Sequence, residues 1–335
     1  MEKQAFLERF DKKTDKPLEK GFCEIDGKKY YCLTTRAGYW HAFVNCDSFS
    51  YFVFLKAIHE MAKFVGEDCV DPEFINVQIK GGYIRGDIIV EDFSKGDRKV
   101  VVYSESAKDY KEEDLPGNLL YKFGMSLKEQ CHQFKELARY YKNPQIYQGF
   151  LKHLLFHHYV GDEDFHFENI EAFVDKNGNS RVSPMFDFSG VHYLSTDEEG
   201  FGKWGYNYTQ SHLAPESLKY EIIESLKTKY PDEFKNYSIK DIEKEFYIRP
   251  EVLEKHVDTI GCLKQQRDLI LEVIEELEDK EFIERLLKLD IDKVLTDELF
   301  TNELKELFKA GTVYGKQNIE RAYNLSKEKG NKNIK

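Results

Sequence analysis

The chain changes texture once along its length, and that change limits its fold more than any single motif. The first ninety or so residues are turn-rich and β-forming, whereas beyond about residue 117 apolar residues recur at three- and four-residue spacing. Strands first and helices after predict an α+β architecture. FCEIDGKKYYCL sets Asp26-Gly27 between two runs of β-branched and aromatic residues, which is a hairpin with its turn chemistry in place. INVQIKGGYIRGDIIVEDF repeats the pattern around Lys80-Gly81-Gly82 and ends in the apolar run Ile88-Ile89-Val90 before Glu91-Asp92-Phe93. Between the hairpins, SFSYFVFLKAIHEMAKFV has no Gly or Pro and is apolar around much of its circumference, as a helix packed on a sheet would be.

At 335 residues, with 25 Phe and 21 Tyr, the chain can build two lobes with a core in each. Its 49 basic and 61 acidic residues give a formal charge of −12, which opposes non-specific attraction to nucleic acid or an anionic membrane. The opening MEKQAFLERFDKKTDKP is charged where a secretory signal needs an apolar run, and no later stretch approaches the ~18 apolar residues of a membrane span. The expectation is a cytoplasmic protein, with delivery as an effector left open. Six scattered cysteines without a CxxC pair predict free buried thiols.

In the helical part, SLKEQCHQFKELARYY and NPQIYQGFLKHLLFHHYV lead into VGDEDFHFENI, residues 160 to 170. After Asp187 helical patterning continues through PESLKYEIIESLKTKY, RPEVLEKHVDTIGCLKQQRDLILEVIEELEDKEFIERLLKL and ELFTNELKELFKAG, and KEKGNKNIK reads as a frayed tail.

The acidic loop carries the chemistry. Asp164 follows a helix, Asn169 lies five positions on, and IEAFVDKNGNSRVSPMF reads as strand, Asn-Gly turn, strand, returning Asp187 to Asn169. This order suits phosphoryl transfer. Asp164 can accept a hydroxyl proton or orient the nucleophile, while the Asn169 oxygen and the Asp187 carboxylate can hold Mg²⁺ against nucleotide phosphates. The plain alternative is a polar loop with an Asn cap and one buried salt bridge.

Gly161, Asp164, His166 and Asn169 form the pattern G-x-x-D-x-H-x-x-N, and SPMFDFSG follows with a proline, an aromatic and an acid. In these residues the sequence resembles the HipA-like serine/threonine kinases, including their smaller single-chain bacterial relatives. IIVEDF resembles that family's hinge, which implies that backbone groups of Glu91 and Phe93 hold adenine. The likeness in order and spacing covers roughly residues 80 to 195. It implies a two-lobed kinase-like fold: an N-lobe over 1–96, and a helical C-lobe over 97–335 with the catalytic loop at 160–170 and the metal segment at 184–190. The implied cofactors are ATP and Mg²⁺. The implied partners are a protein substrate, autophosphorylation included, and an antitoxin or other regulator. His166 takes a supporting role, bracing the loop by hydrogen bonds.

The chain also departs from the family. A nucleotide-binding Lys is implied on the strand after the first hairpin and a Glu early in the next helix; Leu33 or Thr34 and Ser50 stand there. Arg36 and Asp47 are the nearest charges and offer a displaced substitute, with Arg36 toward the nucleotide. Loss of the Lys leaves nucleotide binding feasible and weakens the case for strong activity. Two alternatives therefore stay open: a catalytically weak nucleotide-binding pseudokinase, and a lipid or small-molecule kinase, since inositol-lipid kinases share the D-x-H-x-x-N order.

Other motifs have plainer readings. His153, His157, His158, His166 and His192 raise a metal hydrolase, but three lie on an apolar helix where core histidines are common. HEMAK at 59–63 has Lys63 where HExxH needs its second His. The glycines of KGGYIRGD join two strands and open no helix, so they read as a turn and not a phosphate cradle. Ser195, Thr196, Thr209 and Ser211 are candidate phosphorylation sites in a loop after Asp187.

Overall fold

A computed structural model describes residues 12–19, 21–33, 48–99, 127–162, 165, 169–188, 196–197, 200–201, 227–228, 235–236, 238 and 269–332. It is a mixed α and β structure whose main sheet is antiparallel, with strand order β1-β2-β4-β3. β1 (Phe22–Ile25) and β2 (Lys28–Cys32) form the first expected hairpin. Asp26 and Gly27 turn it with φ of 50° and 75°, the left-handed pair that a two-residue turn matched to strand twist requires. The chain then crosses through helix α1 (Ser48–Phe64) to an outer strand, β3 (Glu73–Gln78), and returns as β4 (Ile84–Glu91) between β2 and β3. A central strand with both faces covered explains the run Ile88-Ile89-Val90, all three of them buried. Gly81 and Gly82 lie in the β3–β4 turn, as the sequence suggests.

The sheet has two unlike faces. Phe74 and Ile88 pack on α1, while Cys23, Ile25, Cys32, Ile75, Val77 and Ile89 form a separate cluster on the other side, joined by Leu18 of the strap 12–19. Cys23, Cys32 and Cys131 are buried and Cys69 is half-buried, and none of these four is in a disulfide. α1 is apolar all round because it is covered twice. Its far side meets the C-terminal helices, where the Phe54 and Phe308 rings stack with centroids 5.2 Å apart. Truncating Phe54, which has no exposed surface, would cost about 3–5 kcal/mol.

The helical part starts with α2 (Leu127–Tyr140) and α3 (Pro144–Tyr159), locked by the stacked pair Phe134 and Phe150 at 4.1 Å. Asn143 caps α3 by accepting from the Gln145 amide, and Pro144 supplies the preset first turn. A second sheet, ordered β5-β6-β7, joins β5 (Arg98–Lys99) to the hairpin of β6 (Ala172–Val174) and β7 (Ser180–Val182). Two short strands, β8 (Thr196–Asp197) and β9 (Gly200–Phe201), pair farther on. Thr196, one of the four candidate phosphorylation sites, is therefore on a strand; the other three lie outside the described residues.

Two features of the C-terminal region differ from the sequence reading. The apolar spacing runs unbroken through residues 269–287, yet the helix over 269–276 stops and α4 (Lys280–Leu287) begins afresh. The Gln148 side chain satisfies the break, donating to the Glu276 carbonyl and accepting from the Glu278 amide, and Asp279 caps the new helix. Side-chain periodicity carries no record of such a backbone substitution. After α5 (Ile291–Val294), α6 (Asn302–Lys332) continues through most of the expected tail. Lys329 bonds Glu275 at 2.6 Å and Lys327 covers the Tyr323 ring, so contacts outside the segment order it. PESLKYEIIESLKTKY lies almost wholly outside the described residues. Among the described residues, no helix is long and apolar enough to cross a membrane.

Candidate active site

α3 delivers the chain to the acidic loop through a buried polar anchor. His157 Nδ1 and Asp162 Oδ2 are 2.6 Å apart with neither side chain exposed. The Asp162 amide also donates to the His157 carbonyl, so the loop folds back on the helix that made it. Phe165 is buried against the His157 ring, 4.5 Å between centroids, which accounts for an aromatic in an acidic stretch. Asp164 and His166 lie outside the described residues, as does Arg36. His153, His157 and His158, which the sequence leaves as core or surface, are buried on α3, and among the described residues no group of three or more His, Cys, Asp or Glu could hold a metal. Burial, helped by His157, pushes His153 down to about 3, so it stays neutral.

The β6–β7 hairpin forms as the Asn-Gly signal implies, and its pairing extends beyond the strands: the Ser183 amide donates to the Glu171 carbonyl and the Glu171 amide to Ser183 Oγ. One step farther the buried Asn169 donates its Nδ2 to the Asp187 carbonyl at 3.3 Å. The hairpin thus turns eighteen residues of separation into contact. Asp187 has φ of 61°, a left-handed backbone held in place from several sides. Upstream, Met185 exchanges backbone hydrogen bonds with Asp68 and Val70, just after α1. Downstream, Phe188 is buried, its ring stacked on His157 at 4.2 Å and 6° and edge-on to Phe156.

The segment Glu91–Phe93, read from the sequence as a hinge, leaves β4 beside β2. Tyr30 and Glu91 are opposed, and the next ladder bond runs from the Asp92 amide to the Lys29 carbonyl. In a trans peptide the Glu91 carbonyl then points away from β2. Pairing with β3 has already ended at Ile89, so that strand offers the Glu91 carbonyl no ladder partner. Phe93 follows in a turn, its ring 5.2 Å from Phe186, 6.1 Å from Phe173 and 5.8 Å from Tyr31, while Tyr31 meets Phe22 at 4.7 Å. Aromatic surface therefore connects the sheet, the hinge and the residue just before Asp187. Burial pushes the Asp92 carboxyl up, but hydrogen bonds from Ser94 and Tyr31 outweigh it and hold it below the usual range.

The departures also have a structural form. Leu33 is half-buried against the main core, and the first turn of α1 contains no acid. The sequence reading missed three elements: the His157–Asp162 anchor, the aromatic chain through Phe93 and Phe186, and Arg181, which bonds the hinge. The histidines were visible but suggested metal, and the FDF aromatics were visible without a partner. Nothing local marks Arg181, whose hydrogen-bond partners are 84 to 88 residues away.

An amide oxygen and a carboxylate are hard donors of the kind magnesium takes, and the bond from Asn169 Nδ2 to the Asp187 carbonyl brings the two residues that carry them together.

No family model matches the sequence, and no curated protein matches it. The fold is similar to the crystal structure of CtkA, a proinflammatory kinase of Helicobacter pylori, with a TM-score of 0.47 and 12% identity over 96% of this chain and 99% of that one. It is also similar to HipA of the Shewanella oneidensis MR-1 toxin–antitoxin system, solved with HipB and operator DNA, with a TM-score of 0.36 and 14% identity over 82% of this chain and 57% of that one. At these scores we take the functional assignment from this chain's own residues.

Proposed function

We propose that the chain is a two-lobed HipA-like kinase that transfers the γ-phosphoryl group of ATP to Ser or Thr of a protein, its own chain included. The small lobe would end near residue 96, with the helical lobe over 97–335. One observation carries this reading: the segment Glu91–Phe93 and the Asn169–Asp187 pair are joined by a ring contact, Phe93 to Phe186 at 5.2 Å. A base acceptor and a pair of metal donors in that proximity suit a nucleotide.

In this assignment the Glu91 carbonyl and Phe93 amide bind adenine, and Asn169 and Asp187 hold Mg²⁺. Bound magnesium supplies charge neutralisation for the phosphates. Asp164 receives the proton of the acceptor hydroxyl as its oxygen bonds to the γ-phosphorus and the bond to ADP breaks, with His166 bracing the loop. Arg36 is the cation nearest the missing lysine. An antitoxin or other regulatory protein remains the proposed partner.

A second reading, a nucleotide-binding module with little transfer, draws support from Leu33 in the core and the acid-free start of α1. Incubation with γ-labelled ATP and Mg²⁺, alongside calorimetric titration, separates the two. Asp164→Asn should leave Mg·ATP affinity within a few-fold while transfer drops by roughly 10²-fold or more. Asp187→Asn should weaken both. Parental transfer by Asp164→Asn refutes the mechanism, and a parent that binds Mg·ATP without transferring favours the binding module.

A further inference from the structure

Arg181, in the middle of β7, reaches the segment after β4 through Nε and Nη2. Nη2 donates to the Phe93 carbonyl at 2.8 Å and the Ser94 carbonyl at 3.1 Å. Nη2 and Nε both reach Asp97 Oδ2, at 3.1 and 3.3 Å, and the guanidinium carbon lies 4.8 Å from the Phe173 ring centroid. Nη2 alone meets both carbonyls and the carboxylate, and the planar guanidinium adds what an ammonium lacks, a second bond from Nε to Asp97 and a flat face against the Phe173 ring.

These bonds act on peptide planes. The Phe93–Ser94 peptide is fixed at both ends, its oxygen by Arg181 and its amide by Asp92 Oδ1 at 2.9 Å. The Glu91–Asp92 peptide is fixed by the bond from the Asp92 amide to Lys29. Between them lies the Asp92–Phe93 peptide, whose N–H is the donor assigned to adenine, and its direction follows from its two immobilised neighbours. Arg181 also stands six residues before Asp187 on the arm of the hairpin that carries the metal acid. One side chain thereby ties the base-binding backbone to the metal-binding strand.

We propose that Arg181 is a positioning residue for the nucleotide: it aims the Phe93 amide and sets the distance from the base to the metal site. The proposal rests on the nucleotide reading above. Its consequence is selective, because a ligand with phosphates but no base has no use for the hinge.

The test titrates full-length parent, Arg181→Ala and Arg181→Lys with Mg·ATP and with Mg·tripolyphosphate, with thermal unfolding as the folding check. Arg181→Ala should weaken Mg·ATP by about tenfold or more while changing Mg·tripolyphosphate less than about twofold, and Arg181→Lys should recover only part of the loss because it lacks the Nε bond to Asp97 and the flat face on Phe173. Unchanged Mg·ATP affinity in Arg181→Ala overturns the proposal. So does an equal loss of both ligands, which denotes a structural residue. If Arg181→Ala does not fold, the same comparison is read from Arg181→Lys. A parent that binds Mg·ATP no better than Mg·tripolyphosphate refutes base recognition at the hinge, and one that binds neither refutes the nucleotide reading itself.

Discussion

Gly315 lies where α6 crosses the last turn of α3, and a methyl group there has nowhere to go. An added Cβ would stand 2.2 Å from the His158 carbonyl oxygen, 2.6 Å from Tyr159 Cα and 2.8 Å from the Tyr159 oxygen. Ordinary non-bonded contact is about 3.5 Å, so the helices would have to part by roughly 1 Å. All three obstacles are backbone, so no rotamer change relieves them, and the cost belongs at the upper end of overpacking, about 3 kcal/mol. Replacing a helical glycine by alanine returns about 1 kcal/mol of propensity. Gly315→Ala should therefore lower unfolding free energy by about 2 kcal/mol in urea denaturation followed by circular dichroism. His158 and Tyr159 immediately precede the turn at Gly161 and Asp162, so the displacement should also reach the acidic loop and depress phosphoryl transfer. A variant as stable as the parent, or about 1 kcal/mol more stable as propensity alone predicts, would refute the close crossing.

Two further outcomes can be measured directly. His153 is held neutral, with its folded value at about 3 against 6.5 for an open imidazole, so the unfolded chain takes up a proton first as pH falls and stability is lost below about pH 6.5. Between pH 7 and pH 5 this amounts to about 2 kcal/mol, and His153→Gln should flatten the stability profile over that window; an unchanged slope argues against the buried neutral imidazole. At the hinge, Glu91→Gln should leave Mg·ATP affinity within about twofold, because its carboxylate only meets exposed Lys28 at 3.5 Å. Phe93→Pro removes the proposed donor and should bind far more weakly than Phe93→Ala, which loses the ring alone; equal affinities for these two would reject the amide as a base contact.

Legibility followed the range of the interaction. The two hairpins of the main sheet, α1 and the β6–β7 return were readable because turn residues and side-chain periodicity act within a few positions, as Asp26-Gly27 and Asn177-Gly178 do. The meeting of Asn169 with Asp187 was readable because one short hairpin connects them. The break at Leu277–Asp279 was not, since it depends on a glutamine some 130 residues earlier. Arg181 was equally silent, being an ordinary strand residue until the fold brings the hinge beside it.

Asp187 is held by pieces from distant parts of the chain, and this bears on what can disturb it. Met185 is bonded to residues just after α1, and the end of α1 is fastened in turn to the helical part. Lys152 on α3 lies 2.6 Å from Glu67 and 2.8 Å from Asp279, while Arg285 Nε donates to the Val65 carbonyl. Burial pushes the Glu67 carboxyl up despite its bond to Lys152, so the ammonium is what keeps this partly desolvated acid tolerable there. α1 is therefore pinned at its C-terminal end by ions and near its middle by Phe54 on Phe308. Both attachments are to the helical part, so Asp187 takes its position from it through Met185 and the residues after α1. The Phe93–Ser94 segment is bonded to that same part through Arg181, so the end of β4 and the Asp187 segment share one set of attachments.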